Sequence, residues 1–310
     1  MKCVKKGRIF KPNPSIWWQY KYAILPTPVY LEKENILRIF FASVCKSFIG
    51  RISFIDVNPQ NPKEILYKHN SYIVDVGKKG SFDENGMNPS SIIFWNNKWY
   101  LYYVGYQRHH SSPYSLFTGL LISEDCIHFE RYSDIPILER KKNEINLRSA
   151  ASVMIDENIF KVWYVADNGW KKIISGPYKN KLLPTYSIKF GVSNDGISWV
   201  TNDRPLLELR KQEFGFGRPF VIKDSCSNYR LFYSVRSTNL GYRLGFAESQ
   251  NGLDWIRKDK SIGIDVSKHG WDSKMICYCS VIKILNKTFM FFNGNGHGEN
   301  GFGYAEIIEW

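Results

Sequence analysis

Three carboxylates precede or open apolar strands in this chain. Asp83 stands in Asp83-Glu84-Asn85-Gly86-Met87-Asn88, Glu213 begins the run to Arg218, and Asp272 lies in His269-Gly270-Trp271-Asp272-Ser273-Lys274. Two carboxyl groups facing each other across a cleft can divide the work of general acid from that of base or nucleophile, as in most hydrolysis of glycosidic bonds. Asp83 and Asp272 form the leading pair, with Glu213 as a third candidate. Cations recur at comparable places: Arg148, Arg218, Arg236 and Lys274. Arginine presents a planar fork of donors that suits phosphate and carboxylate alike, so the set predicts an anionic group on the ligand. Each arginine taken singly would serve equally well to hold a neighbouring strand through its carbonyls. His269 and His297 can exchange protons near neutrality. Asn88, Asp167 and Asn293 add hydrogen-bonding groups, while Trp170 and Trp271 offer flat faces on which a sugar could stack, or else simply pack.

These residues occupy fixed places in a repeat. Met87 to Trp95 reads as an apolar strand, Asn96-Asn97 as a tight turn, and Lys98 to Tyr103 as a second strand rich in aromatics, which is a hairpin signal. First strands of the same kind centre on Pro28, Pro89, Ala151, Pro219 and Cys279, 60 to 68 residues apart. Aromatic second strands follow at Ile39-Phe40-Phe41, Leu101-Tyr102-Tyr103, Val162-Trp163-Tyr164, Leu231-Phe232-Tyr233 and Met290-Phe291-Phe292. Third strands end in Ser123-Glu124-Asp125-Cys126, Ser193-Asn194-Asp195-Gly196 and Ser249-Gln250-Asn251-Gly252, tight turns after which Trp199 and Trp255 are expected to plug the gaps between repeats. A unit of this size cannot cover its own apolar face and needs its neighbours. The expectation is therefore one all-β domain over 1–310, a five-bladed β-propeller with blades at about 22–75, 85–137, 147–207, 214–262 and 271–310. The last blade runs out of chain after three strands. A spare strand at residues 7–10, paired into it, would close the ring and remove its open edges.

Composition narrows the function classes. Hydrophobic residues make up 44% and aromatics 16% of 310 residues, which excludes a disordered chain. No apolar run is long enough for a membrane-spanning helix. Lys2 to Arg8 is basic but has no apolar stretch behind it, so it does not read as a secretion signal. Six scattered cysteines, with Cys277 and Cys279 on one strand face, read as reduced thiols; a cytoplasmic location is the expectation. The paired spacing of a zinc site is missing, and neither metal nor cofactor is expected. A net charge of +13 predicts an anionic partner: a nucleotide sugar, a sugar phosphate, an acidic glycan, or the surface of an anionic membrane or its assembly complex. The lysines lie apart in turns, such as Lys141-Lys142 and Lys171-Lys172, which disfavours nucleic acid and suits loop solvation equally.

Asn88-Pro89-Ser90, the Ser-x-Asp-Gly-x-x-Trp turns and Gly270-Trp271-Asp272-Ser273-Lys274-Met275 together resemble the five-bladed propeller glycosidases, that is glycoside hydrolase families 43, 32, 62 and 68 and the mannoside phosphorylases of family 130. A closer likeness is to propeller proteins encoded with bacterial surface-polysaccharide genes, related to the N-terminal domain of glucosamine inositolphosphorylceramide transferases. The resemblance spans nearly the whole chain and is more specific for fold than for reaction. It implies a carbohydrate-active enzyme acting by glycosyl transfer, phosphorolysis or hydrolysis, with Asp83 or Asp272 as acid or base and with Arg148, Arg218 and Lys274 holding phosphate or a sugar carboxylate. Two departures turn the expectation towards transfer or phosphorolysis. The first strand, Ile24 to Tyr30, carries no acid where the furanosidases place theirs, and Arg148 is followed by Ser149-Ala150 in place of the fructosidase Arg-Asp-Pro. The alternative is a non-catalytic glycan-binding or scaffold propeller.

Overall fold

A computed structural model describes residues 1–174, 176–224 and 226–310. Strand β1 (Lys2–Phe10) is followed by five antiparallel groups. The first comprises β2 (Lys21–Leu31), β3 (Ile36–Val44), β4 (Gly50–Asn58) and β5 (Asn61–Lys68), and the second β6 (Gly86–Trp95), β7 (Lys98–Arg108), β8 (Tyr114–Ser123) and the two-residue β9 (Glu130–Arg131). The third comprises β10 (Leu147–Asp156), β11 (Ile159–Lys172), β12 (Leu182–Ser193) and β13 (Val200–Thr201). The fourth comprises β14 (Glu213–Lys223), β15 (Tyr229–Ser237), β16 (Arg243–Ser249) and β17 (Ile256–Arg257). The fifth has β18 (Cys277–Ile284), β19 (Lys287–Asn293) and β20 (Phe302–Glu309), and β1 pairs antiparallel with β20 as its fourth member. That N-terminal strand is longer than the 7–10 expected from sequence. The Asn96-Asn97 turn has left-handed backbone at both residues (φ 48° and 60°), the geometry whose twist matches a two-residue hairpin.

First strands of successive groups lie side by side, from β2 beside β6 through to β18 beside β2. Five apolar clusters each draw on two neighbouring groups. Phe41 and Ile55 pack with Phe289 and Phe291, Phe54 with Leu121, Tyr102 with Val162, Ile188 with Leu231, and Phe246 with Met290. Removal of this apolar area from water is what joins the groups. Side chains then latch them. Arg38 Nη1, Tyr102 Oη and Trp163 Nε1, all in second strands, donate to the turn carbonyls of Cys126, Gly196 and Gly252 in the next group, at 2.9, 3.0 and 2.8 Å. In those turns Ser123, Ser193 and Ser249 Oγ each accept the N–H three residues on, at 2.9 Å. Trp199 packs edge-on against Tyr102 of the preceding group, and Trp255 packs against the apolar cluster shared by the third and fourth groups. Its indole N–H bonds Gly252 of its own turn, the carbonyl that Trp163 also reaches.

Nearer the centre, Ser91 Oγ donates to Ala151 O (2.9 Å), Ser152 Oγ accepts from Val221 N (2.9 Å), and Ser280 Oγ donates to Pro26 O (2.6 Å). Asn293, wholly buried, joins the fifth group to the first, accepting from Leu25 N (2.9 Å) and donating to Ala23 O (2.8 Å) and Gly301 O (3.0 Å). Both of its N–H donors and its oxygen are engaged by backbone, which gives it a structural role in the position where sequence suggested binding. Asn293→Leu keeps the volume and strands those partners, so a loss of about 3 kcal/mol is expected, read as a lower denaturation midpoint with an unchanged m-value.

All five first strands break register halfway along: between Ile24 and Thr27, Pro89 and Ser91, Ser149 and Ser152, Gly217 and Phe220, and Cys277 and Ser280. At four of these bulges a non-glycine residue takes left-handed backbone: Leu25 (φ 54°), Ala150 (φ 52°), Arg218 (φ 35°) and Tyr278 (φ 56°). Bulges re-aim side chains, and strained backbone persists only where its surroundings over-determine it.

Candidate functional site: the central cavity

The four strained residues meet around one cavity of about 630 Å³, lined by Leu25, Ala150, Arg218 and Tyr278. Gly50 and Gly86 pair at its edge, where a Cβ on Gly86 would come within 3.0 Å of Gly50 N, so position 86 favours glycine. The walls are tyrosines from strand ends: Tyr22, Tyr106, Tyr114, Tyr186 and Tyr242, besides Tyr278. Tyr114 and Tyr186 share a hydroxyl–hydroxyl bond of 2.8 Å. Burial pushes the Tyr242 phenol up to about 12 and those of Tyr186 and Tyr278 well above the usual value, so these hydroxyls stay protonated and can donate. Flat amphipathic rings of this kind suit the apolar faces and hydroxyl rims of a sugar. No aspartate or glutamate is among the lining residues.

Arg218 is 2% exposed. Nη1 donates to Tyr278 O (2.7 Å), and Nη2 to Pro26 O (2.9 Å), Thr27 Oγ1 (2.7 Å) and, more distantly, Ser90 O (3.4 Å). Nε has no acceptor. Burial without a carboxylate lowers its pKa to about 9, which leaves the guanidinium charged at neutral pH. His297, left-handed at φ 60°, stacks on Tyr278 (6.0 Å) and meets Tyr242 edge-on (4.7 Å). Burial, and secondarily the Arg236 charge, lowers its pKa to about 4, so the imidazole is neutral near pH 7.

Of the residues singled out from sequence, the cavity gathers Asn88, Arg218 and His297. Two more back its wall. Arg236 lies over the Tyr186 ring (4.0 Å) and donates through Nε to Tyr242 Oη (2.7 Å), and Trp170 packs edge-on to Tyr114 (5.8 Å). Asp167 is buried opposite Tyr186 in the β11–β12 ladder. Its Oδ2 accepts from Asn146, its Oδ1 has no partner among the described residues, and burial raises its pKa.

The other expected site residues are engaged away from the cavity. Asp83, wholly buried, is held by Arg131 (2.9 Å), Tyr103 Oη (3.0 Å) and Ser81 Oγ (2.9 Å). Asp272 binds Lys5 (2.6 Å) and Ser267 (3.0 Å), pinning β1. Glu213 takes a bidentate bond from Arg257 (2.8 and 2.9 Å). Arg148 is paired with Glu144 (2.6 Å). Trp271 stacks on Phe292 (5.4 Å), with Gly303 leaving room for its ring. Lys274 and His269 are exposed outside the cavity lining. Each member of the leading carboxylate pair thus faces a cation of its own, and neither is among the residues that line the cavity. Sequence reasoning passed over the tyrosines, Arg108 and Phe48. High aromatic content pointed to the rings alone, and it does not separate a packed ring from a lining one; Arg108 carried no signal beyond the overall positive charge.

No protein-family profile matches the chain. Among proteins of known sequence it is 31% identical over 304 residues to the Uncharacterized protein Rv1502 of Mycobacterium tuberculosis, with 98% of each protein covered. Among solved structures it is similar to a glycoside hydrolase (TM-score 0.73, 17% identity, 99% of this protein and 92% of that one) and to a thermostable family-43 glycoside hydrolase (TM-score 0.65, 20% identity, 96% and 91%). It is similar also to a member of the GH130 family, described as mannoside phosphorylases containing glycoside hydrolases that target β-1,2 mannosidic linkages in Candida mannan (TM-score 0.72, 12% identity, 98% and 93%). These structural likenesses show a shared glycosidase-like β-propeller fold. By its sequence the chain belongs to the family of the mycobacterial protein Rv1502.

Proposed function

We propose that this protein is a carbohydrate-active enzyme that processes a glycan in the central cavity, in bacterial surface-polysaccharide biosynthesis. The observation that carries this reading is the cavity itself: sugar-sized, walled by tyrosines and built on the strained bulges of the first strands of a glycosidase-like fold. With Asp83, Asp272 and Glu213 all in ion pairs, glycosyl transfer or phosphorolysis on a nucleotide- or phosphate-activated sugar fits better than hydrolysis by facing carboxylates. Asn88, Arg218 and His297 are the ligand-contacting residues in this scheme. The same reading takes the single domain as a five-bladed propeller, closed by β1 in its last blade. The side-by-side first strands and the Ser280–Pro26 and Asn293–Leu25 bonds support that geometry. A cytoplasmic site of action, with the +13 charge resting against an anionic leaflet or its assembly complex, completes it.

The missing carboxylates also favour a second reading, a non-catalytic glycan-binding propeller. One experiment separates the two. The protein is screened by thermal shift against neutral oligosaccharides, nucleotide sugars and sugar phosphates, and each hit is followed by product analysis. A ligand at a hundred times its Kd adds about 2.7 kcal/mol, a shift of several degrees. Leu116→Trp, which fills the cavity from a half-buried lining position, is expected to abolish the shift. Turnover that Leu116→Trp also abolishes supports the enzyme, and a shift without turnover supports the binder. A hit that ignores Leu116→Trp removes the cavity from the account.

A further inference from the structure

Among the described residues, buried cations away from the cavity are paired with carboxylates. Arg38 meets Asp56 (2.7 Å), Arg51 meets Asp75 (2.7 Å), and Arg148 and Lys189 share Glu144 (2.6 and 2.7 Å). Arg218 and Arg236 are equally buried, yet among the described residues neither has a carboxylate within ion-pair distance. Arg218 is held only by neutral oxygens, and Arg236 by Tyr242 Oη, Pro184 O (2.7 Å) and the faces of Tyr186 and Phe214. A buried charge without a counter-ion is strongly unfavourable. Two such charges, one lining the cavity and one behind its wall, leave it electropositive.

Unspent donors converge on the same corner. Tyr242 Oη already accepts the Arg236 Nε–H, so its own proton is left to give, and no protein acceptor for it is found among the described residues. Both ring nitrogens of His297 are likewise without a protein partner there, and being neutral the ring carries one N–H. Arg218 reaches the corner through its bond to Tyr278 O, and the Tyr278 ring lies 5.9 Å from Tyr242 and 6.0 Å from His297. Gly217 lines the cavity between them: a Cβ there would touch the Tyr278 ring at 3.5 Å and that of Tyr242 at 3.9 Å.

We infer that Arg218, Tyr242 and His297 form an oxyanion-binding site at one corner of the cavity, and that the ligand seats a phosphate or a sugar carboxylate there. The inference rests on the cavity being the glycan site and adds the charge and position of the group it recognises. Arg218 supplies the charge, Tyr242 and His297 donate hydrogen bonds, and Arg236 strengthens the Tyr242 donor from behind. The neutral remainder of the sugar then lies along the tyrosine walls.

Isothermal titration of the intact protein with inorganic phosphate, glucose 1-phosphate, glucuronate and glucose, at low and at physiological ionic strength, tests this. Glucose 1-phosphate or glucuronate is expected to bind at least tenfold more tightly than glucose, and which of the two wins identifies the source of the oxyanion. Tyr242→Phe keeps the ring and removes one donor to a charged group, for which a loss of roughly tenfold is expected. Arg218→Gln is expected to abolish the preference for the anionic sugar. Because Arg218 also ties strands together, the Tyr242→Phe result stands as the independent arm should Arg218→Gln unfold. Glucose binding as tightly as its phosphate and as glucuronate, with the cavity still blocked by Leu116→Trp, would overturn the oxyanion site and leave the glycan reading intact. Anion binding that is indifferent to Tyr242→Phe and vanishes at physiological salt would assign it to surface lysines and overturn the site as well. If Leu116→Trp leaves all binding unchanged, the cavity reading fails and takes this inference with it.

Discussion

Glu144→Ala is expected to lower the unfolding free energy by about 3–5 kcal/mol, since removing one member of a buried ion network strands the charges it neutralised. Glu144 is wholly buried and serves two cations at once, Arg148 at 2.6 Å and Lys189 at 2.7 Å, with Tyr164 Oη donating to the same carboxylate at 3.2 Å. The network joins β10, β11 and β12 of the third group beside the turn that precedes Leu147. Denaturant titration of the single variant should show a lower midpoint at constant m-value. Replacing Glu144, Arg148 and Lys189 together by apolar residues of similar size should recover most of the loss, because their desolvation is then avoided. A single-variant effect below about 1 kcal/mol would instead mean that water reaches these charges. None of the three lines the cavity, so ligand binding by the folded fraction should be unchanged.

Asp83→Asn carries the second large effect and bears directly on function. Asp83 accepts from Arg131 Nε (3.1 Å) and Nη2 (2.9 Å), from Tyr103 Oη (3.0 Å) and from Ser81 Oγ (2.9 Å), and none of its surface is exposed. The amide keeps the shape but replaces an acceptor with two N–H donors in a ring of donors, and it leaves Arg131 without its counter-ion. A loss of about 3 kcal/mol is expected, with glycan binding retained below the lowered melting temperature. A catalytic Asp83 makes the opposite prediction, of unchanged stability with turnover lost. Thermal melts and binding titrations on the same preparation therefore decide between a structural and a chemical role.

The architecture was legible because it is written in local and nearest-neighbour terms. Alternating apolar and aromatic strands, tight turns such as Asn96-Asn97, and Ser-x-Asp/Asn caps each act within a few residues, and recurrence at 60 to 68 residues stated that neighbours complete one another. The spare N-terminal strand and the short last repeat could be matched by counting. Charge pairing could not. Asp83 finds Arg131 across 48 positions, Glu144 finds Lys189 across 45, and Asp272 finds Lys5 across 267. A carboxylate awaiting a substrate and one bound to a lysine look alike in sequence. The tyrosines divide in the same way. Tyr103 and Tyr233 pack in the cores between groups, while Tyr242 and Tyr278 line the cavity. The cavity they line is built on register breaks in the first strands, where Leu25, Ala150, Arg218 and Tyr278 take left-handed backbone without a glycine to announce it. That conformation is imposed by strands packing around a common centre, and there Arg218 becomes a buried cation with no carboxylate beside it among the described residues.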